Sequence, residues 1–243
     1  MTLLIALWIW SMSQAPSQAT APKPDLLEQI ACAPQGLPAA PVPSMRVLGG
    51  YVHGRTMFGP GDALIIGGGA GVQKGQQYFV RRPVLDASMK QPKVGALYAI
   101  HTAGWVTIVD VKDMMAVGTV THACDGLLEG DYLEPFVPPA LPPTALVGAP
   151  DYEHPGRILL ADERRQTGSP GTVVLMDRGI DDGVRAGQML TIYRETINGL
   201  GPIVDVGRGT VLSANAKSSL VRIDSSRDAV YLGDLVAIHR ITQ

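Results

Sequence analysis

The chain has 243 residues and a formal net charge of -2, with only 17% charged residues. That balance removes the electrostatic footprint expected of a nucleic-acid binder. Hydrophobic residues make up 46% and aromatics 5%, with 28 Gly and 19 Pro. There is enough apolar material for a core, which excludes a largely disordered chain, and the glycine and proline content favours many short strands joined by turns.

Residues 3–10 (LLIALWIW) form an apolar run of signal-peptide length, well short of the roughly 20 residues that span a bilayer. Ser17-Gln18-Ala19 follows as a small-x-small cleavage site, so residues 1–19 are expected to be a signal peptide. A buried N-terminal strand or an uncleaved anchor is the alternative. Residues 20–44 are rich in Ala and Pro and are expected to form a tether. One interruption, residues 25–31 (DLLEQIA), has the pattern of a two-turn helix. Asp25 would cap it, Glu28 would complete a capping box, and Leu26, Leu27 and Ile30 would face inward.

The rest of the chain reads as one module written twice. Residues 71–82 (GVQKGQQYFVRR) are answered by residues 183–194 (GVRAGQMLTIYR), each a glycine-punctuated turn leading into a strand that ends at an arginine. Other anchors recur in the same order. Arg46-Val47-Leu48 matches Arg157-Ile158-Leu159, and Gly59-Pro60-Gly61 matches Ser169-Pro170-Gly171. Val94-Gly95 matches Val206-Gly207, and Gly130-Asp131 matches Gly233-Asp234. This sets module one at residues 45–136, a Pro-rich linker at 137–156 and module two at 157–243. In module one the runs 95–101, 105–111 and 115–122 read as three strands, after a polar Pro-containing loop at 83–93. Short Val/Ile/Leu-rich strands bounded by Gly, Pro and Asp, with no long helical periodicity, predict an all-β protein of small closed barrels. The Gly-Asp turns suit an Asp side chain that accepts hydrogen bonds from nearby backbone amides.

Chemical motifs are few. Gly67, Gly68, Gly69 and Gly71 suggest a phosphate loop, but Gly75 is followed by Gln76-Gln77 and a strand, not by Lys-Ser/Thr and a helix, so no nucleotide is expected. His122 and Cys124 share a strand face, yet two ligands do not make a zinc site, and neither metal nor cofactor is expected. There is no Gly-x-Ser-x-Gly elbow, and the carboxylates Asp110, Asp113, Asp181 and Asp182 read as turn residues. The only cysteines are Cys32 and Cys124. In an exported chain a bridge between them would pin the N-terminal segment to module one and stabilise it by a few kcal/mol. Module one differs from its copy mainly by extra residues around His101 to Trp105, with Trp105 either a core cap or an exposed contact.

Residues 179–194 (GIDDGVRAGQMLTIYR) with Leu232-Gly233-Asp234, and their counterparts in module one, resemble the SH3-like β-modules of bacterial envelope proteins. Such modules stand at the C-terminal ends of LysM-carrying peptidoglycan-binding proteins and of the flagellar assembly protein T family. The LysM motif itself is absent. The resemblance implies a periplasmic, non-enzymatic adaptor that binds an envelope protein partner, with peptidoglycan binding or an exported enzyme of unknown reaction as alternatives. The surface expected to engage the partner is the corner of Arg81 and Arg82 with His101 and Trp105, through strand-edge or groove recognition.

Overall fold

The computed structural model describes residues 25–52, 54–69, 71–83, 97–161, 166–196 and 201–240. The expected signal peptide and nearly all of the polar loop at 83–93 lie outside the described residues. The described residues begin with a helix, α1 (Leu26–Cys32), and a short strand, β1 (Gln35–Leu37). The first half then contains β2 (Arg46–Gly50), β3 (Met57–Phe58), β4 (Ala63–Gly67), β5 (Gln77–Pro83), β6 (Tyr98–Lys112), β7 (Met115–Ala123), β8 (Leu127–Leu128) and β9 (Tyr132–Pro135). The second contains β10 (Ala149–Ala161), β11 (Thr167–Gly168), β12 (Val173–Met176), β13 (Met189–Glu195), β14 (Ile203–Ala214), β15 (Ser219–Ser226), β16 (Val230–Tyr231) and β17 (Leu235–Arg240).

In the second half the strands close into an antiparallel barrel in the order β10-β12-β15-β14-β13-β17. In the first half the order is β2-β4-β7-β6-β5-β9, returning from β9 to β2 through Arg46 opposite Tyr132. Replacing each strand by its counterpart converts one order into the other, and the two-residue pairs β3–β8 and β11–β16 correspond as well. The first ring carries β1 as an added strand on β6.

Matched corners explain why the sequences agree where they do. Gly75 and Gly187 have φ of 88° and 86°, a backbone region that costs an L-residue about 1–2 kcal/mol. Each amide donates to a neighbouring strand, Gly75 to Ile108 and Gly187 to Val211, both at 2.8 Å. The following glutamine closes each turn by accepting from the backbone, Gln76 from Gln73 at 2.9 Å and Gln188 from Arg185 at 2.6 Å. The Gly-Asp turns behave as expected: Asp131 accepts from the Leu128 amide and Asp234 from the Tyr231 amide, each at 2.8 Å.

Three expectations need correction. The runs 95–101 and 105–111 are not separate strands, because β6 is continuous and bends at Gly104, where its register against β5 shifts. A Cβ at Gly104 would lie 2.2 Å from the His122 carbonyl oxygen, so glycine permits the close approach of β7 at the bend. Asp25 occupies the N-cap of α1 but makes no side-chain cap bond. Finally, β10 starts at Ala149, inside the span read as linker, because Ala149 and Pro150 pair with Arg240 and His239. Asp151 Oδ2 fixes that pairing by accepting from Arg240 Nε at 3.1 Å.

The two barrels bury separate cores, one around Leu64, Ile66, Val106 and Ile108, the other around Val174, Met176, Ile192 and Ile238. β4 alternates between core and surface, as a strand with one wet face should. Its counterpart β12 is buried at all four positions. Val174 and Met176 enter the barrel, whereas Val173 meets Ala33 and Leu212, and Leu175 meets Ala99 and Leu160. The outer face of β12 is therefore covered by the N-terminal segment and by β6 of the first barrel. Segment 25–37 lies between the barrels, with Leu26 and Ile30 packed on the second.

His239 on β17 is 9% exposed, with Nε2 2.9 Å from Thr191 Oγ1. Burial pushes its pKa below the ordinary 6.5, and Arg208 adds to the effect. The folded state thus favours the neutral ring, while the unfolded chain takes up the proton first as pH falls. The stabilisation is complete above the ordinary pKa and is lost as pH falls from there toward the folded value. The urea midpoint should fall between about pH 7 and pH 5, and His239→Gln should flatten that dependence. An unchanged slope in the variant would remove His239 as the cause.

Candidate functional site

Adjacent side chains on a strand point to opposite faces, so the two arginines ending β5 have different surroundings. Arg82 forks onto Asp131, with Nε to Oδ1 at 2.6 Å and Nη2 to Oδ2 at 2.7 Å. Its counterpart Arg194 does the same to Asp234, at 2.7 and 2.8 Å. Both also donate to a carbonyl of the preceding turn, Arg82 to Gly126 and Arg194 to Ala229. Arg46 and Arg157 cap the same turns by donating to Gly130 and Gly233. These are duplicated structural clamps, and in Arg194 the bond to Asp234 holds the guanidinium firmly charged.

Arg81 has no such copy; its place is taken by Tyr193 in the second barrel. It is 3% exposed. Nε meets Glu134 Oε2 at 2.8 Å, Nη1 donates to Thr102 Oγ1 at 2.8 Å, and the guanidinium lies 4.5 Å from the centre of the Phe79 ring. Burial pushes its pKa down, and the neighbouring Glu134 carboxylate opposes that shift. Burial and the Glu134 charge also push the Tyr132 hydroxyl well up.

Arg81 and Glu134 line a cleft of about 580 Å³ between the barrels. Ile30 and Gln35 form its N-terminal wall, Leu175 and Leu212 its far wall, and the proline-rich stretch 137–143 its rim. Val137 and Leu141 on that rim are 70% and 60% exposed. Beside the cleft stands an aromatic cluster. Phe79 meets Phe136 at 4.5 Å and Trp105 edge-on at 6.2 Å, and Trp105 stacks on His122 at 4.3 Å.

The four residues expected to form one partner-binding corner are thus distributed. Arg81 faces the cleft, Arg82 is tied into the Asp131 clamp, and Trp105 is half-buried in the aromatic cluster. His101 is 2% exposed, with Nε2 3.1 Å from Asp125 Oδ2. Phe79, Glu134 and Phe136 escaped sequence reasoning. Alternation along β5 puts Phe79 beside Arg81, the one signal that was available.

Cys32 and Cys124 are joined, with Cα atoms 5.6 Å apart across a sequence separation of 92. Within the glycine loop, Gly69 donates to Met114 and Gly75 to Ile108, so these amides serve the fold. Among the described residues no helix is long and apolar enough to cross a membrane. The chain is an all-β protein with a closed antiparallel barrel and a disulfide-fixed N-terminal segment. Comparison with family models and with curated proteins finds no match.

Proposed function

We propose that the protein is a non-enzymatic scaffold of the bacterial cell envelope, exported after cleavage before Thr20 and built from two tandem SH3-like modules. It engages a protein partner within a periplasmic or outer-membrane assembly. The observation that supports this most is the inter-barrel cleft, which combines apolar lining residues, a proline rim and the Arg81–Glu134 pair. Those two charged groups are committed to each other, which suits a rigid recognition surface better than acid–base chemistry. An extended partner segment would lie along the rim of 137–143, with apolar side chains directed toward Ile30, Val137 and Leu141. The disulfide agrees with an oxidising compartment.

The test is site-specific photo-crosslinking in cells, with the reactive residue at Val137 or Leu141 and, as a control, at Ile203, which is exposed on β14. A discrete adduct with one envelope protein from the cleft positions, and none from Ile203, is expected. Adducts of equal yield from all three positions would sink the cleft. Co-sedimentation with purified sacculi and no protein adduct would replace the partner with peptidoglycan.

A further inference from the structure

A histidine and a carboxylate stand beside the disulfide. One ligand atom each from Cys32, Cys124 and His122 lies within 4.8 Å of the others. Glu28, one turn before Cys32 on α1, places Oε1 3.2 Å from His122 Nε2. The group is half-buried, and Trp105 stacks on the imidazole at 4.3 Å, fixing the ring plane. Two sulfurs, an imidazole and a carboxylate from two separate elements thus converge on one point.

We propose that the reduced form of the protein binds a borderline-soft divalent cation, Zn2+ in type, through Cys32, Cys124 and His122, with Glu28 orienting the histidine. The proposal is independent of any partner in the cleft. The oxidised protein cannot form this site, because both sulfurs are spent in the bond. A dithiol reductant opens it: the disulfide accepts two electrons and two protons, and the reductant leaves as its own disulfide. Binding then releases the two thiol protons as the thiolates coordinate the ion.

The geometry needs little rearrangement. Tetrahedral coordination with metal–sulfur bonds of about 2.3 Å places the two sulfurs roughly 3.8 Å apart. A Cα separation of 5.6 Å accommodates that spacing by side-chain rotation. Two thiolates neutralise the dication, and imidazole supplies the third ligand typical of a Cys2His site, leaving the fourth position for water. Glu28 holds His122 Nε2, so the ion would bind Nδ1; the contact would then be the carboxylate–histidine arrangement that sets ring orientation and ligand basicity, whose loss typically weakens binding by about 10–100-fold. Bridging and metal binding would thus be mutually exclusive states of the two cysteines.

The experiment uses the mature chain, fully reduced under nitrogen and freed of reductant, titrated with Co2+ as a spectroscopic probe and then with Zn2+ in competition. Reduced protein should bind one cobalt, with thiolate-to-metal charge-transfer and tetrahedral ligand-field bands that Zn2+ abolishes. Oxidised protein should show neither band. His122→Gln lies on a partly exposed side chain and should leave the fold intact by circular dichroism while reducing affinity at least about tenfold. Glu28→Gln should weaken binding without changing the bands. Failure of folded reduced protein to develop the bands overturns the proposal. So does a His122→Gln spectrum and affinity equal to wild type, which would mark adventitious binding to thiols. If reduction itself unfolds the chain, added Zn2+ should restore the native circular dichroism, and failure to do so also counts against the site.

Discussion

Replacing Asp131 with alanine is expected to destabilise the first barrel by roughly 3 kcal/mol, near the lower limit for breaking a buried ion pair. The Asp131 side chain is 2% exposed, and its two oxygens receive Arg82 Nε, Arg82 Nη2 and the Leu128 amide. Removal leaves a guanidinium with 17% side-chain exposure at a closed corner, with no other ion-pair partner among the described residues. Asp234→Ala should cost about half as much, because Arg194 is 35% exposed and retains Asp228 at 3.3 Å and the Ala229 carbonyl at 3.1 Å. Urea unfolding of the two single variants and the pair measures both effects. The sites belong to separate barrels, so the two costs should add within about 0.5 kcal/mol. An Asp131→Ala protein as stable as wild type would show that the clamp contributes nothing to the fold.

The clamp also shows which features were legible in the sequence. Gly130-Asp131, Gly233-Asp234, Arg82 and Arg194 stand out because their roles depend on residue type: a left-handed glycine, an acceptor at fixed offset and a planar fork. Few other side chains can replace them, so the repeat survives in both halves and sets strand order. Covering of outer faces leaves no such trace. Ala63-Leu64-Ile65-Ile66 of β4 and Val173-Val174-Leu175-Met176 of β12 are both continuously apolar, yet β4 alternates in burial and only β12, covered on both sides, is buried at every position. Nothing local identifies what covers it, since Ala33 and Ala99 are distant in sequence. The burial of Arg81 was equally hidden. A strand-terminal arginine ordinarily reads as exposed, and only the chain return through β9 places Glu134 beside it. The cleft proposed as the binding site depends on these long-range approaches, which no local pattern in the sequence announces.

The disulfide has a consequence larger than that of a local cross-link. In the loop-entropy description, a bridge spanning a separation of 92 restricts the unfolded chain by about 4–5 kcal/mol, and observed values centre on roughly 2–4. A double Cys32→Ser/Cys124→Ser variant should therefore unfold at markedly lower urea, losing about 3 kcal/mol. Lacking both thiols, it separates this effect from any metal. The loss should not remain within the first barrel. Segment 25–37 is bonded to that barrel through the disulfide and through Thr102 Oγ1, which donates to the Ala33 carbonyl at 3.0 Å. It also packs Leu26, Ile30 and Ala33 on the second barrel. Release of the segment uncovers Val173, Leu212 and Leu220, so amide exchange on β12 and β15 should accelerate along with exchange on β6. Slow exchange confined to β12 and β15 in the double variant would show that the second barrel holds the segment without the bridge, and that the cross-link serves the first barrel alone.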